Sequence, residues 1–142
     1  MTADDEQRRR ADRQDVAEVL VRYATGIDRR DWDLFRTCFT ADVHADYQDI
    51  AVWVGVEEIT AFMDAAHAGM GRTLHRITNI DVRLDGDRAT ARSYVDAVLM
   101  AADGGSGFNP VGFYDDELVR TADGWRIARR RFTMVRATAL AD

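Results

Sequence analysis

The side chains that could carry chemistry in this chain are carboxylates, histidines, tyrosines and arginines. The 142 residues include 25 acidic and 19 basic side chains, and every basic residue is an arginine. Without lysine, the chain has no amine for a Schiff base, for anchoring pyridoxal phosphate or for a Walker phosphate-binding loop. Its three histidines and single cysteine, Cys38, show no zinc-ligand spacing, so we expect neither a metal nor a cofactor. General acid–base chemistry remains.

Asp28 and His75 are the first candidates for that chemistry. Asp28 falls at the edge of the apolar stripe of a predicted helix, in line with Ala17, Val21 and Ala24. Such a carboxylate either lies just beyond the packed region or points into a cavity. His75 lies in a predicted strand, where it is either a hydrogen-bonded structural residue or a base. The residue types alone leave both interpretations open.

Tyr47, Asn79 and Asp96 are further polar residues that could contact a substrate. Tyr47 shares the apolar face of its strand, which fits a pocket wall as well as core packing. Asn79 shares a strand face with His75 and either binds substrate or stabilises a bulge. Asp96 has apolar neighbours and is either a base or a carboxylate on the solvated face of the sheet, opposite an arginine.

Three helices are predicted to position these residues. Apolar residues recur at i, i+3, i+4 and i+7 over residues 16–27, which predicts the first helix. Asp31 is a suitable N-cap for a short second helix. A third helix is predicted after Gly55 and should end near Gly69, which would place His67 at the surface or at a pocket rim.

The remaining elements are predicted to be strands joined by tight turns. The predicted strands cover residues 43–54, 73–84, 89–100, 111–120 and 125–135. Asp-Gly pairs at 85–86 and 123–124 favour hairpin turns, because glycine adopts positive φ angles without strain. Residues 101–110 are predicted to form a loop. Helices grouped against one face of an antiparallel sheet define an α+β fold.

A bulge is predicted in the strand that carries His75. The apolar face of this strand switches near Asn79 and Ile80, since Ile77 lies on one face and Val82 on the other. A sheet bent at this point and wrapped around the helices would enclose a deep interior. Such an interior could hold a buried site with both polar and apolar walls.

Composition limits the remaining classes of protein. The length fits one domain, and 46% hydrophobic residues argue against a disordered chain. A net charge of −6 works against binding to nucleic acid. No apolar stretch is long enough for a membrane span, the acidic start does not resemble a secretory signal, and Cys38 has no partner for a disulfide. We therefore expect a cytoplasmic location, with no membrane and no nucleic acid as partner.

Three blocks of the sequence resemble the SnoaL-like branch of the NTF2-like superfamily. They are residues 23–32 (YATGIDRRDW), 74–79 (LHRITN) and 123–130 (DGWRIARR). The blocks follow the family's order and nearly its spacing, and the resemblance covers about residues 12–136. Residues 1–11 are then expected to be a flexible charged start, and residues 137–142 a C-terminal tail. The resemblance implies a cone in which a strongly bent antiparallel sheet wraps around three N-terminal helices.

Several catalytic members of this branch, including bile-acid dehydratase-like and dehydrochlorinase-like enzymes, use an aspartate–histidine pair. The resemblance places that aspartate at Asp28 and that histidine at His75. The polar residue five positions before the aspartate is Tyr23, and the family's pocket arginine falls on Arg130. His75 is then expected to be the base and Asp28 to orient it. Tyr23 is expected to donate to a carbonyl or a leaving hydroxyl, and Arg130 to stabilise developing negative charge.

The resemblance implies a small lyase that removes an α-proton and expels a β-hydroxyl from a hydrophobic carbonyl compound, such as a steroid or polyketide. Two alternatives stay open: a steroid isomerase or polyketide cyclase that uses Asp96 or the same pair, and a non-catalytic module that binds an apolar ligand. Tyr47, Asn79 and Asp96 are the expected substrate-binding residues. A homodimer or homotrimer is expected, because the outer face of the sheet needs a cover and related proteins form both.

Overall fold

The structure, a computed structural model, describes residues 1–141, which form helices first and strands later. The helices are α1 (Ala3–Arg29), α2 (Trp32–Arg36) and α3 (Val56–Ala68). The strands are β1 (Phe39–Asp46), β2 (Val52–Val54), β3 (Met70–Asp85), β4 (Arg88–Ala101), β5 (Ser106–Thr121) and β6 (Gly124–Ala141). The order follows the predicted one, except that the predicted strand over residues 43–54 is divided into β1 and β2.

The six strands form one curved, open sheet in the order β2-β1-β6-β5-β4-β3. Strand β1 runs parallel to β6, and all the other neighbours are antiparallel. The three helices pack against the concave face of this sheet. The predicted α+β class and the bent sheet around three helices are confirmed.

The predicted hairpin and bulge are both present in the strand that carries His75. Strands β3 and β4 pair down to Asp85 and Arg88, and Gly86 takes a φ of 59° in the turn. The pairing register shifts between Thr78 and Asp81. Asn79 lies within this shift with a φ of 50°, a left-handed conformation that asparagine tolerates better than most residues. The strand therefore bends where the apolar pattern changes face.

The N-terminal residues differ from the predicted flexible start, because α1 begins at Ala3. Thr2 and Asp5 form a capping box that satisfies the first backbone N–H groups of the helix. Further along α1, the buried carboxylate of Asp12 accepts two hydrogen bonds from Arg120 at 2.9 and 2.8 Å. This contact joins the helix to the end of β5, 108 residues later in the chain.

Two predictions about the second half of the chain are also corrected. Strand β5 begins at Ser106, so the predicted loop over residues 101–110 is limited to the turn before it. Residues 137–141 of the predicted tail belong to β6 and pair with the start of β5, as Leu140 does with Gly107. Asp142 lies outside the described residues. Residues 106–110 and 137–141 are strands because each segment supplies backbone hydrogen-bond partners for the other.

The core lies between α1 and the concave face of the sheet. The apolar stripe of α1, which includes Val16, Leu20 and Ile27, is buried against aromatic side chains of α2 and the sheet. This is the stripe that the sequence pattern indicates. None of the helices in residues 1–141 has the length together with the apolar character needed for a membrane crossing.

Candidate active site

A cavity of about 360 Å³ lies between the helices and the concave face of the sheet. Most of its wall is apolar, with side chains from α1, α3 and the four long strands. The polar exceptions are Tyr23, Tyr47, His67, His75 and Tyr114. A mostly apolar cavity with a few convergent polar groups is the usual form of a small-molecule site.

Asp28 and His75 are hydrogen-bonded to each other at the wall of this cavity. Nδ1 of the His75 ring lies 2.7 Å from Oδ1 of Asp28, and the backbone N–H of His75 donates to Oδ2 at 2.8 Å. Because an ionised carboxylate only accepts, Nδ1 carries the proton and donates it. The ring is thereby held at two points, and Nε2 remains as its unengaged nitrogen. The imidazole lines the cavity with 9% of its surface exposed.

The end of α1 and the start of β3 bring this pair together. Arg30, the C-cap residue of α1, has a left-handed φ of 56° that ends the helix and turns its side chain toward β3. Its guanidinium donates to Oγ1 of Thr73 at 2.8 Å and to the carbonyl oxygen of Gly71 at 2.7 Å. The Thr73 hydroxyl in turn donates to Oδ1 of Asp28 at 3.0 Å. Asp28 thus accepts from three donors, two of them on His75.

These contacts keep Asp28 ionised. Burial raises the pKa of the Asp28 carboxyl, but the hydrogen bonds and charge of His75, together with the Thr73 hydroxyl, outweigh it and hold that pKa below its usual value. An ionised aspartate beside Nδ1 fixes the tautomer of the ring and stabilises the imidazolium that would form after proton abstraction. The pair can therefore act as a general base directed into the cavity.

Tyr23 and Tyr47 form a second polar group in the same cavity. Their hydroxyl oxygens lie 2.7 Å apart, so one hydroxyl donates to the other. Both rings are almost fully buried, and burial raises the pKa of each phenol above its ordinary value. Both therefore stay protonated, and the pair retains one hydroxyl hydrogen for a ligand. Both residues were expected near a substrate, and both line the cavity.

Arg130 does not reach the cavity, contrary to the expected direct role. It is fully buried and donates to both carboxylate oxygens of Asp116, at 2.7 and 2.9 Å. Its guanidinium lies 4.2 Å from the ring centre of Tyr23 and 3.9 Å from that of Tyr114. Burial lowers the pKa of Arg130, but the Asp116 carboxylate more than compensates, so Arg130 stays charged. Its guanidinium therefore lies behind the rings of the two tyrosines and does not itself line the cavity.

Asp96 and Asn79 lie outside the cavity, which corrects their expected contact with substrate. The Asp96 side chain is 47% exposed on the outer face of the sheet, where it pairs with Arg76 at 3.2 Å. Side chains alternate along β4, so the inward direction of Val95 and Ala97 sends Asp96 outward. Asn79 is exposed, because its left-handed backbone at the bulge takes it out of alternation with His75.

Two polar cavity residues were not among the site residues expected from the sequence. His67, expected at the surface or a rim, is buried; its Nδ1–H donates to the carbonyl oxygen of Met63 at 2.7 Å. Tyr114 lines the cavity from β5 with 3% of its surface exposed. Tyr114, Asp116 and Leu118 occupy alternate positions of one strand. This alternation could have indicated from the sequence that Tyr114 faces inward.

Within residues 1–141, no group of three or more histidine, cysteine or acidic side chains is arranged to hold a metal ion. The polar side chains of the cavity can themselves supply proton transfer and hydrogen bonding. Their constellation is an imidazole with a carboxylate partner, together with phenolic hydroxyls that line the same mostly apolar cavity.

Comparison with known proteins identifies the family. The sequence profile of the SnoaL-like domain matches residues 8–131 of this chain. The chain belongs to the SnoaL-like domain family. A relative in Mycobacterium tuberculosis, the uncharacterised protein Rv2910c, is 33% identical over 122 residues, which cover 84% of this chain and 83% of the relative.

Solved structures of other proteins superpose on this SnoaL-like domain and share its fold. The protein Kfla4162 from Kribbella flavida superposes with a TM-score of 0.83 at 31% identity, covering 91% of this chain and 94% of the other. The hexachlorocyclohexane dehydrochlorinase LinA-type3 from Novosphingobium barchaimii superposes with a TM-score of 0.80 at 18% identity, covering 99% and 95%. At that identity the second likeness is one of fold alone. The NTF2-like cone implied by the sequence is confirmed.

Proposed function

We propose that this SnoaL-like domain is a lyase that eliminates water from a hydrophobic carbonyl compound bearing a β-hydroxyl, such as a steroid or a polyketide. The observation that carries the proposal is the doubly held His75 ring, whose Nε2 is unengaged while its Nδ1 is bound to Asp28 at 2.7 Å. This is the arrangement a general base needs. Elimination is also the reaction named for the structurally similar dehydrochlorinase, although that likeness is one of fold.

In the proposed reaction, Nε2 of His75 removes the proton α to the carbonyl group. The electron pair of that C–H bond moves into the carbonyl group, so that an enolate forms. The enolate then returns its electron pair to form the α,β double bond as the bond to the β-hydroxyl breaks. The departing hydroxide takes the proton from the His75 imidazolium and leaves as water. Asp28 stabilises the imidazolium between these two transfers.

The carbonyl oxygen gains negative charge as the α-proton leaves. The Tyr23–Tyr47 pair supplies a hydroxyl hydrogen that can stabilise this oxygen. Arg130 acts on the same oxygen indirectly, because its charge lies against the ring of Tyr23. The apolar wall excludes water, which strengthens each of these interactions.

The cavity supports the proposed substrate class. Its volume of about 360 Å³ and its apolar wall suit a fused-ring or similarly compact hydrophobic skeleton. A steroid isomerase or polyketide cyclase that uses the same pair is the second candidate, since both begin with the same proton abstraction. Asp96 cannot serve as the base of either, because it lies on the outer face.

The experiment is an incubation of the purified protein with a panel of fused-ring β-hydroxy ketones, followed by mass spectrometry. The lyase predicts products lighter by one water, whereas an isomerase or cyclase that retains all atoms predicts no change in mass. His75→Ala should abolish turnover, while the matched variant His44→Ala, on β1 and outside the cavity, should retain it. Turnover that survives His75→Ala would refute the mechanism, and tight binding without any product would favour a binding module.

We also propose that the chain forms a homodimer or homotrimer through the outer face of its sheet. Leu74 and Tyr94 are exposed there, with 57% and 48% of their surfaces accessible. Light scattering on the eluted protein tests this, and a monomer at micromolar concentration would refute it. The expected cytoplasmic location stays a prediction.

A further inference from the structure

His67 carries a buried ring nitrogen that has no partner in the protein itself. The side chain lines the cavity from α3, and 6% of its surface is exposed. Its Nδ1 lies 2.7 Å from the carbonyl oxygen of Met63, whereas Nε2 has no hydrogen-bond partner within residues 1–141. Of the buried side-chain nitrogen and oxygen atoms without a partner in this part of the chain, Nε2 of His67 is the one that belongs to a residue lining the cavity. Buried polar atoms are nearly always hydrogen-bonded, so this nitrogen points to a partner that the chain does not supply.

The missing partner is a hydrogen-bond donor. A carbonyl oxygen only accepts, so the proton of the neutral His67 ring lies on Nδ1, which donates to Met63, and Nε2 keeps its lone pair. Burial lowers the pKa of His67, and the charge of Arg30 acts in the same direction, so the ring is neutral at neutral pH. A neutral imidazole nitrogen of this kind accepts from a hydroxyl or an N–H group.

The position of His67 places this acceptor beside the proposed base. The ring centres of His67 and His75 lie 6.2 Å apart, and both rings line the same cavity. Nδ1 of each ring is engaged, with Met63 in one case and with Asp28 in the other, so each ring keeps Nε2 as its unengaged nitrogen. At this separation, neighbouring atoms of one ligand can contact both rings.

We infer that Nε2 of His67 accepts a hydrogen bond from a hydroxyl group of the ligand in this cavity. The site then takes compounds with an apolar ring skeleton and a hydroxyl group close to the atom that reaches His75. That this hydroxyl is the β-hydroxyl that leaves as water rests on the proposed function. In that reaction His67 holds the hydrogen of the hydroxyl, and the oxygen receives its second hydrogen from Nε2 of His75 as the C–O bond breaks. The hydrogen bond to His67 itself needs no turnover.

The test compares 2-naphthol, which donates through its hydroxyl, with 2-methoxynaphthalene, which has the same rings and no donor. Calorimetry at neutral pH measures both affinities, and wild-type protein should bind 2-naphthol more tightly. His67→Phe should weaken binding of 2-naphthol about three- to tenfold, as expected for loss of a hydrogen bond between neutral groups. The same variant should change binding of the ether by less than about twofold, because phenylalanine retains a ring at this position.

His44→Phe is the matched control, since His44 lies on β1 and outside the cavity. It should change neither affinity. Because His67→Phe also loses the hydrogen bond to Met63, nitrogen NMR of the wild-type protein provides a measurement that needs no variant. The Nε2 signal of His67 should move to lower frequency when 2-naphthol binds, and it should stay near its free position when the ether binds.

Three results would overturn the inference: no preference of the wild type for 2-naphthol, no difference between the two probes in their response to His67→Phe, or an Nε2 signal of His67 that does not move with 2-naphthol. If that signal is already typical of a hydrogen-bonded nitrogen in the free protein, the partner is a buried water.

Two results separate this inference from the proposed function. A shift of the Nε2 signal of His75 alone would place the hydroxyl at His75, which overturns the inference and leaves the proposed elimination intact. Conversely, a preference for 2-naphthol that depends on His67, in a protein without lyase activity, would support the hydroxyl site and refute the elimination.

Discussion

The carboxylate of Asp28 binds His75 twice, once at the ring and once at the main chain. Oδ1 accepts from Nδ1 at 2.7 Å and Oδ2 accepts from the backbone N–H at 2.8 Å. The second contact fixes the strand against the end of α1, and the first fixes the ring relative to the strand. The direction of Nε2 therefore depends on a single side chain 47 residues earlier.

Asp28→Asn should change the tautomer of His75. Thr73 and His75 present only hydrogen-bond donors to the carboxylate of Asp28. The NH₂ group of an asparagine at this position would therefore face at least one of these donors. We expect the proton to move from Nδ1 to Nε2 in the neutral ring, with turnover reduced about 10²- to 10⁴-fold. Nitrogen NMR of the imidazole measures the tautomer, and circular dichroism checks the fold. An unchanged Nδ1–H tautomer would contradict the prediction.

Thr73→Val should raise the pKa of Asp28, whereas Thr73→Ser should leave it near the wild-type value. The Thr73 hydroxyl is one of the hydrogen bonds that hold this pKa down against burial, and serine retains it. A lowered carboxyl pKa stabilises the fold above the unfolded-state value of about 3.9, and that stability is lost as pH falls through the folded-state value. Thr73→Val should therefore lose stability at a higher pH than Thr73→Ser. Carbon NMR of the Asp28 carboxyl and acid unfolding provide the measurements, and identical titrations of the two variants would exclude the role of the hydroxyl.

Arg130→Met should destabilise the protein by about 3–5 kcal/mol, because it leaves the Asp116 carboxylate buried without its partner. The control is Arg92→Met, which breaks the exposed Arg92–Asp115 pair one strand away and should cost less than about 1 kcal/mol. Urea unfolding measures both. Removing both buried charges in Arg130→Met with Asp116→Leu should recover much of the loss. Equal losses of stability in Arg130→Met and Arg92→Met would contradict the expected difference between the buried and the exposed ion pair.

His67 should make the stability depend on pH below neutrality. Burial lowers the pKa of His67, so the unfolded chain binds a proton at a higher pH than the folded protein does. Stability from the neutral ring is complete above the unfolded-state value of about 6.5 and declines as pH falls below it. His67→Gln should remove this decline, so its stability relative to wild type should improve between roughly pH 6.5 and pH 5. The free energy of unfolding is measured by chemical unfolding at several pH values. Curves of this free energy against pH that run parallel for wild type and His67→Gln would contradict the prediction.

Local patterns in the sequence predicted most of the architecture. The apolar period of residues 16–27, the N-cap at Asp31 and the Asp-Gly turn at Gly86 each depend on neighbours within a few residues. The change of face near Asn79 correctly indicated the bulge, since strand alternation is also local. Alternation likewise allowed the outward position of Asp96 as one of two interpretations.

Contacts between distant segments decided the rest. The helix starts at Ala3, and its buried Asp12 is held by Arg120, a pairing across 108 residues. The last residues of β6 are ordered by the start of β5. Neither segment contains a local signal for this structure, because the stabilising partner lies elsewhere in the chain.

The candidate active site shows the same division between what local sequence patterns predicted and what distant contacts decided. The residue types and the family resemblance named Asp28, His75, Tyr23 and Arg130, but not how far each stands from a ligand. Strand register places Asp116 beside Arg130, so the charged arginine is ion-paired in the core and lies against tyrosine rings instead of lining the cavity. The sequence determined which groups are available for proton transfer. Only the tertiary structure decided which of them face the cavity, because side-chain direction depends on pairing between strands that are far apart in the chain.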